Sequence, residues 1–124
     1  AHELRHLALA YDGSERACKA MHVAAEVASS LGAALTVLSV GRDPKAGELR
    51  LAQARAYFEP YGLSVEFRHL AGNAPQEIIA FIRRDSPDAL FIGAYGHSRI
   101  VEMMLGSTTE HLLRNAPCPL FLSR

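Results

Sequence analysis

The sequence predicts an α/β domain: an open sheet of five parallel strands with four helices packed on its two faces. Short aliphatic and β-branched runs alternate along the whole chain with longer stretches whose apolar residues recur at helical spacing. This alternation is typical of consecutive βαβ units. No internal repeat, low-complexity tract or linker interrupts it. We therefore expect residues 1–124 to form one domain, which is an ordinary length for a single core.

Three strands are predicted in the first half of the chain. Residues 7–11 form the first strand, and a helix follows between a capping Ser14 and a terminating Gly32. Residues 35–40 are almost continuously apolar, as expected of a parallel strand that is covered on both faces. Residues 64–69 alternate in polarity, which favours an edge strand with one wet face.

The second helix is expected over residues 48–57, because Gly41, Pro44 and Gly47 in the preceding stretch indicate a loop. A third helix begins after Asn73 and ends near Ser86.

The last part of the chain repeats the same alternation. Residues 89–92 form a short buried strand that ends at Gly93, and residues 107–110 (Ser-Thr-Thr-Glu) form a capping box for a fourth helix. Residues 119–122 make the last strand. The expected strand order is 3-2-1-4-5, as in other doubly wound sheets whose ligand lies where the order reverses.

Charge and cysteine content exclude several functional classes. Thirteen Lys and Arg residues balance thirteen Asp and Glu residues, so the broad positive field of nucleic-acid and membrane-surface binders is absent. Cys18 and Cys118 show no zinc-ligand spacing. The sequence contains no apolar run of about 18 residues and no signal-peptide pattern. We expect a cytoplasmic protein that binds neither nucleic acid nor membrane.

The most informative loop follows the fourth predicted strand. Gly93 and Gly96 are followed, after nine residues, by Gly106 and Ser107 at the start of a capped helix. Glycines let backbone N–H groups approach an anion closely, and a helix N-terminus adds unpaired N–H groups. Backbone, Ser107 and Thr108 could therefore hold a phosphate without a basic surface. A tight turn and a helix cap need the same residues, so the glycines alone leave both readings open.

Asp12 lies just past the first strand, as Gly93 lies just past the fourth. If these strands are neighbours, the two loops face each other across the crevice in which doubly wound sheets bind ligands. A carboxylate opposite a phosphate cradle suits a ribose hydroxyl or a metal ion. The alternative is that Asp12 only braces the turn into the first helix, as Asp often does in an Asp-Gly-Ser sequence.

These motifs together resemble the ATP-binding branch of the universal stress protein family. The likeness rests on the G-x2-G-x9-G-S pattern from Gly93 to Ser107, on residues 11–14 (Tyr-Asp-Gly-Ser) and on residues 115–119 (Asn-Ala-Pro-Cys-Pro), and it covers nearly the whole chain. It implies adenine and ribose near Ala10, Tyr11, Asp12 and Val40. It places the phosphates on Gly93, Gly96, Gly106, Ser107 and Thr108, with His97 and Ser98 beside them.

The resemblance also bears on cofactor and assembly. It implies ATP, with or without Mg²⁺, and Asp12 is the available carboxylate for a metal. It further implies a homodimer through the last strand, where Leu120, Phe121 and Leu122 have suitable apolar character. The segment between the second strand and the second helix is shorter than in many members of the family, which reduces the cover that it could give a nucleotide.

Three functions remain open. The first is an ATP-binding stress-response protein whose nucleotide occupancy controls conformation, dimerisation or partner binding. The second is a slow ATPase or phosphotransferase that uses the same pocket, but the sequence has no G-x-x-x-x-G-K-[ST] loop and we assign no catalytic residue. The third is a dimeric interaction protein without nucleotide, against which the intact glycine and serine pattern argues.

Overall fold

A computed structural model of the chain describes residues 4–93, 111–112 and 114–123. Its elements, in chain order, are β1 (His6–Ala10), α1 (Glu15–Leu31), β2 (Ala34–Gly41), α2 (Pro44–Phe58), a 3₁₀ turn (Glu59–Tyr61), β3 (Val65–Ala71), α3 (Ala74–Asp85), β4 (Ala89–Gly93) and β5 (Leu120–Ser123).

The five strands form one sheet in the order β3-β2-β1-β4-β5, and every pairing is parallel. The predicted fold class and strand order are therefore confirmed. β1 is central, with Ala10 paired to Leu38 of β2 on one side and to Ile92 of β4 on the other. The carboxyl ends of these strands consequently meet at one edge.

Two apolar layers sandwich the sheet. Leu7 and Leu9 of β1 point into the layer formed with α1 and α2, whereas Ala8 and Ala10 point into the layer formed with α3 and Leu112. This alternation follows from the period of two in a strand. It places helices on both faces of the sheet, as predicted.

Helix α1 begins and ends as its sequence predicts. The Ser14 hydroxyl accepts a hydrogen bond from the backbone N–H of Ala17 (3.1 Å), and Gly32 ends the helix in the left-handed conformation with φ of 64°. Its buried residues are mostly alanines, namely Ala17, Ala20, Met21, Ala24, Ala25 and Ala28. Small side chains let the helix approach the sheet closely.

Helix α2 begins four residues earlier than the sequence predicts. Asp43 caps it by accepting a hydrogen bond from the N–H of Lys45 (3.0 Å), and Pro44 occupies the first turn, where a missing N–H costs nothing. The prediction of a loop over residues 41–47 was therefore right only for residues 42–43, since β2 includes Gly41 and α2 begins at Pro44. The sequence Asp-Pro is compatible both with a turn and with the start of a helix, and Gly47 favoured the prediction of a loop.

Within the described residues, three α-helices have both ends defined, rather than the four that were predicted. The predicted fourth helix starts at residues 107–110, outside the described part, although residues 111–112 and 114–115 are helical. None of the helices in the described part is both long and apolar enough to cross a membrane.

Candidate functional site at the carboxyl ends of the strands

The carboxyl ends of β1 and β4 bring two predicted site segments side by side. Ala10 is paired with Ile92, so Tyr11 and Gly93 each directly follow a paired position. The N–H of Tyr11 continues the ladder to β2 by donating to the carbonyl of Leu38 (2.8 Å). The neighbouring strands that the sequence argument required are thus present.

Asp12 forms the turn between β1 and α1. Its Oδ1 accepts a hydrogen bond from the N–H of Ser14 (2.9 Å), an arrangement that braces the Asp-Gly-Ser turn. Gly13 supplies the positive φ of 82° that this turn requires. The bracing role left open by the sequence is real, and the half-buried carboxylate lies at the strand ends where a ribose contact would also place it.

Gly93 is needed for close packing between β4 and α1. A Cβ at this position would lie 2.6 Å from the backbone N of Ala17 and 2.6 Å from the carbonyl C of Arg16. These are main-chain atoms of the first helical turn, so no side-chain movement could make room. Gly93 therefore has a structural reason to be glycine that is independent of any phosphate.

The side chain of Tyr11 belongs to the core. Its residue is 3% exposed, and its hydroxyl donates to Oε1 of Gln53 (3.4 Å) and lies 3.7 Å from Sγ of Cys18. Burial raises the pKa of Tyr11 to about 12, and the Cys18 thiol and the Asp12 charge act in the same direction. The phenol is therefore neutral at physiological pH, and what Tyr11 presents at the edge is its backbone.

The carboxyl ends of β2 and β3 carry a polar cluster that the sequence argument did not identify. The ring of His69 lies between the hydroxyl of Ser39 (Nδ1 to Oγ, 3.3 Å) and the carbonyl of Gly41 (Nε2 to O, 3.1 Å). Because a carbonyl can only accept, Nε2 carries a proton, and in the neutral ring Nδ1 accepts from the hydroxyl of Ser39. A Cβ on Gly47 of α2 would overlap this ring.

This cluster lies immediately beside Val40, the predicted adenine contact on β2. Val40 is half-buried and packs with the apolar layer on the α3 side of the sheet, where it is paired in register with Leu70. The only sequence signal for the cluster was the alternation in β3 that put His69 on the inward face with Val65 and Phe67.

The structure describes five of the predicted site residues, namely Ala10, Tyr11, Asp12, Val40 and Gly93, and all five lie at this one edge of the sheet. The remaining predicted residues lie outside the described part: Gly96, His97, Ser98, Gly106, Ser107 and Thr108. Among the residues that are described, no group of three or more His, Cys, Asp or Glu side chains is arranged to hold a metal ion.

The chain was compared with known sequences. The family model for the universal stress protein family matches residues 42–124. The universal stress protein Slr1230 of Synechocystis sp. is 33% identical over 118 residues, which is 93% of this chain and 41% of that protein. A second relative, MJ0531 of Methanocaldococcus jannaschii, is matched over 45% of its length. The matched part of this chain thus spans less than half of either relative.

Solved structures share the fold. A universal stress protein in complex with cAMP matches with a TM-score of 0.82 at 17% identity, covering 99% of both chains. The universal stress protein from Archaeoglobus fulgidus in complex with dAMP matches with a TM-score of 0.79 at 22% identity, covering 99% of this chain and 100% of that one. At this level of identity the likeness concerns the backbone. Together with the sequence match over two thirds of its residues, it shows that the chain belongs to the universal stress protein family.

Proposed function

We propose that this protein binds an adenine nucleotide, ATP in the first instance, at the carboxyl ends of β1 and β4, and that nucleotide occupancy controls its conformation, dimerisation or partner binding in a stress response. The observation that carries the proposal is the placement of the Asp12 turn directly beside Gly93. Doubly wound sheets bind ligands where such loops face each other.

The family members whose solved structures are complexes with cAMP and dAMP support an adenine nucleotide as the ligand class. In the proposed complex, ribose and base contact Ala10, Asp12, Val40 and the backbone of Tyr11. The phosphates lie along Gly93 and on the six predicted loop residues from Gly96 to Thr108. Mg²⁺ accompanies the phosphates if Asp12 or the phosphates themselves recruit it.

The first experiment asks what the purified protein carries. The protein is heat-denatured and the supernatant is chromatographed for adenine nucleotide, and binding of added ATP is measured by calorimetry. Bound or retained ATP supports the regulatory role, whereas ADP formed from added ATP indicates a hydrolase. Absence of binding to any adenine nucleotide would refute the proposal.

A second experiment separates the two roles of Asp12. Asp12→Asn keeps an oxygen that can accept from Ser14 but removes the charge, whereas Asp12→Ala removes both. A charge-assisted contact to ribose is worth roughly 1.5–3 kcal/mol, so Asp12→Asn should bind ATP about tenfold more weakly with an unchanged melting temperature.

The same loss should vanish for a 2′,3′-dideoxy analogue of ATP, which lacks the hydroxyls. If Asp12→Asn and Asp12→Ala each lower the affinities for ATP and for the dideoxy analogue equally, and only Asp12→Ala lowers the melting temperature, Asp12 acts in the turn alone.

We also propose that dimerisation uses the edge strand β5. Leu120 is half-buried, whereas Phe121 and Leu122 are 45% and 38% exposed, and an unpaired apolar edge is normally covered. The ring of Phe121 stacks on Phe91 at 4.8 Å between centroids, which fixes the position of that side chain. Light scattering of the wild type should give twice the mass of the chain, and a monomer at all concentrations would refute this interface.

A further inference from the structure

Arg50 of α2 lies across the edge of the sheet at which the proposed site is built. Cβ atoms built on two glycines locate its side chain. The one on Gly13 would lie 3.6 Å from Cγ and 3.7 Å from Cδ of Arg50, and the one on Gly41 would lie 3.5 Å from Nη2. The aliphatic stem therefore covers the β1–α1 turn, and the guanidinium reaches the end of β2.

The guanidinium has no partner in the described parts of the chain. Its Nε is buried and makes no hydrogen bond, and no described ion pair includes Arg50. Native proteins rarely leave a buried polar nitrogen unsatisfied, because the group has lost its water without gaining an acceptor. The atoms on either side of this nitrogen lie at the strand ends, with Cδ beside Gly13 and Nη2 beside Gly41, so an acceptor for it would lie at the site.

A guanidinium forms hydrogen bonds only with groups that accept them. It has five N–H donors and no acceptor, and its planar fork matches the oxygens of phosphate or carboxylate. The carbonyl of Gly41 already accepts two hydrogen bonds, from Nε2 of His69 (3.1 Å) and from the N–H of Gly72 (3.3 Å). An oxyanion supplied by a ligand would provide the acceptor that the guanidinium of Arg50 lacks.

The position of Arg50 determines which part of a bound nucleotide it would contact. The phosphate cradle proposed at Gly93 lies beyond β4, whereas Arg50 lies between the ends of β1 and β2, on the side of Asp12 and Val40 that the proposed function gives to ribose and base. In dinucleotide-binding sheets, a cation near the end of the second strand accommodates a phosphate on the ribose.

We infer that Arg50 binds a second phosphate group carried on the 2′ or 3′ oxygen of the ribose, so that the site favours adenine nucleotides phosphorylated there over those with free hydroxyls. This inference rests on the proposed adenine-nucleotide function and names the ligand class for it. Arg50 is then a specificity-determining residue.

The test measures the affinities of the wild-type protein for 5′-AMP, adenosine 2′,5′-bisphosphate and adenosine 3′,5′-bisphosphate by calorimetry. At least one bisphosphate should bind about tenfold or more tightly than 5′-AMP, as expected for added charge-assisted hydrogen bonds. The bisphosphate whose affinity exceeds that of 5′-AMP by the larger factor identifies the ribose oxygen that carries the phosphate.

Arg50→Met keeps the apolar stem over Gly13 and removes the guanidinium, so it should lose the preference for the bisphosphate over 5′-AMP. Arg50→Lys keeps the charge but not the fork, and it should retain only part of the preference. Arg55→Met is the matched control: it removes the same charge from the same helix, but its guanidinium lies 4.5 Å over the ring of Phe67 on the edge strand. Arg55→Met should keep the wild-type ratio of the bisphosphate affinity to the 5′-AMP affinity.

The outcomes are distinguishable. Equal ratios in the wild type, Arg50→Met and Arg50→Lys would overturn the inference, as would a wild type that binds 5′-AMP and both bisphosphates equally, and in either case nucleotide binding itself would stand. A wild type that binds none of the nucleotides overturns both the inference and the proposed function. Circular dichroism melting checks that Arg50→Met folds, and Arg50→Lys provides the decision if it does not.

Discussion

The two halves of the strand-end edge are built in opposite ways. At the β1–β4 end, the first turn of α1 packs its backbone directly against Gly93. At the β2–β3 end, the first turn of α2 packs against an imidazole, with Gly47 making room for the ring of His69. In both cases a glycine permits the contact, but one contact joins two main chains and the other joins a main chain to a side chain.

The difference teaches which glycines can be replaced. A clash between two backbones has no rotamer that relieves it, so α1 or β4 must move as a whole. A clash with a side chain can be removed by shortening that side chain. The first end is therefore a rigid position for Asp12, while the second is adjustable through His69.

Gly93→Ala is expected to have the largest effect. With a Cβ 2.6 Å from two backbone atoms of α1, the substitution should reduce the free energy of unfolding by about 3 kcal/mol, the upper part of the range for overpacking. Urea denaturation followed by circular dichroism measures it. Gly41→Ala is the control, because among the described residues its Cβ would meet only Nη2 of Arg50 at 3.5 Å, an ordinary contact. Equal costs for the two variants would show that the approach of α1 to β4 is looser than described.

Gly47→Ala should cost less, about 2 kcal/mol, because the His69 ring can shift and alanine favours a helix by about 1 kcal/mol over glycine. In a His69→Ala background the same substitution should become neutral or stabilising, since the ring that it meets is gone. A double-mutant cycle in urea measures the coupling. A coupling near zero would mean that Gly47 and His69 do not share this space, and the contrast with Gly93 would disappear.

The smallest effect concerns Tyr11 at the β1–β4 end. Burial raises its pKa to about 12 from 10.0, so the unfolded protein releases this proton first as pH rises. The stabilising contribution of the neutral phenol is complete below pH 10 and is lost as pH rises towards 12, by about 1.4 kcal/mol at pH 11. Wild type should therefore lose more stability than Tyr11→Phe between pH 9 and pH 11 in denaturant titrations. Parallel losses in the two proteins would contradict the burial of this hydroxyl.

Most of the fold could be predicted from sequence because each element carries its own signal. The Ser14 cap, the Gly32 end and the buried run of β2 are local patterns, and all three are observed. The start of α2 could not be predicted in the same way. Asp43 and Pro44 fit a turn as well as a cap, and the reason for Gly47, the ring of His69, lies 22 residues further along the chain.

The candidate site likewise contains residues that the sequence predicts and residues whose roles depend on packing. Asp12 and Gly93 follow strands directly, so the topology alone brings them together. The packing role of Gly93 could not be predicted, because it depends on how closely an alanine-lined helix approaches the sheet. Arg50 and His69 were missed because their positions depend on how α2 lies over the strand ends, and the alternation in β3 predicts only the face of the strand on which His69 lies.

The strand order has a consequence for synthesis on the ribosome. β1 is the centre of the finished sheet, yet its partner β4 is about 80 residues later in the chain. The carboxylate of Asp88, just before β4, accepts from the N–H groups of Arg5 and His6, both at 2.9 Å. At roughly 5–20 residues per second, one side of β1 therefore waits about 4–16 seconds for its partner. During that interval the nascent chain presents an apolar open edge, and it is then most exposed to pairing with another nascent chain or to capture by a chaperone.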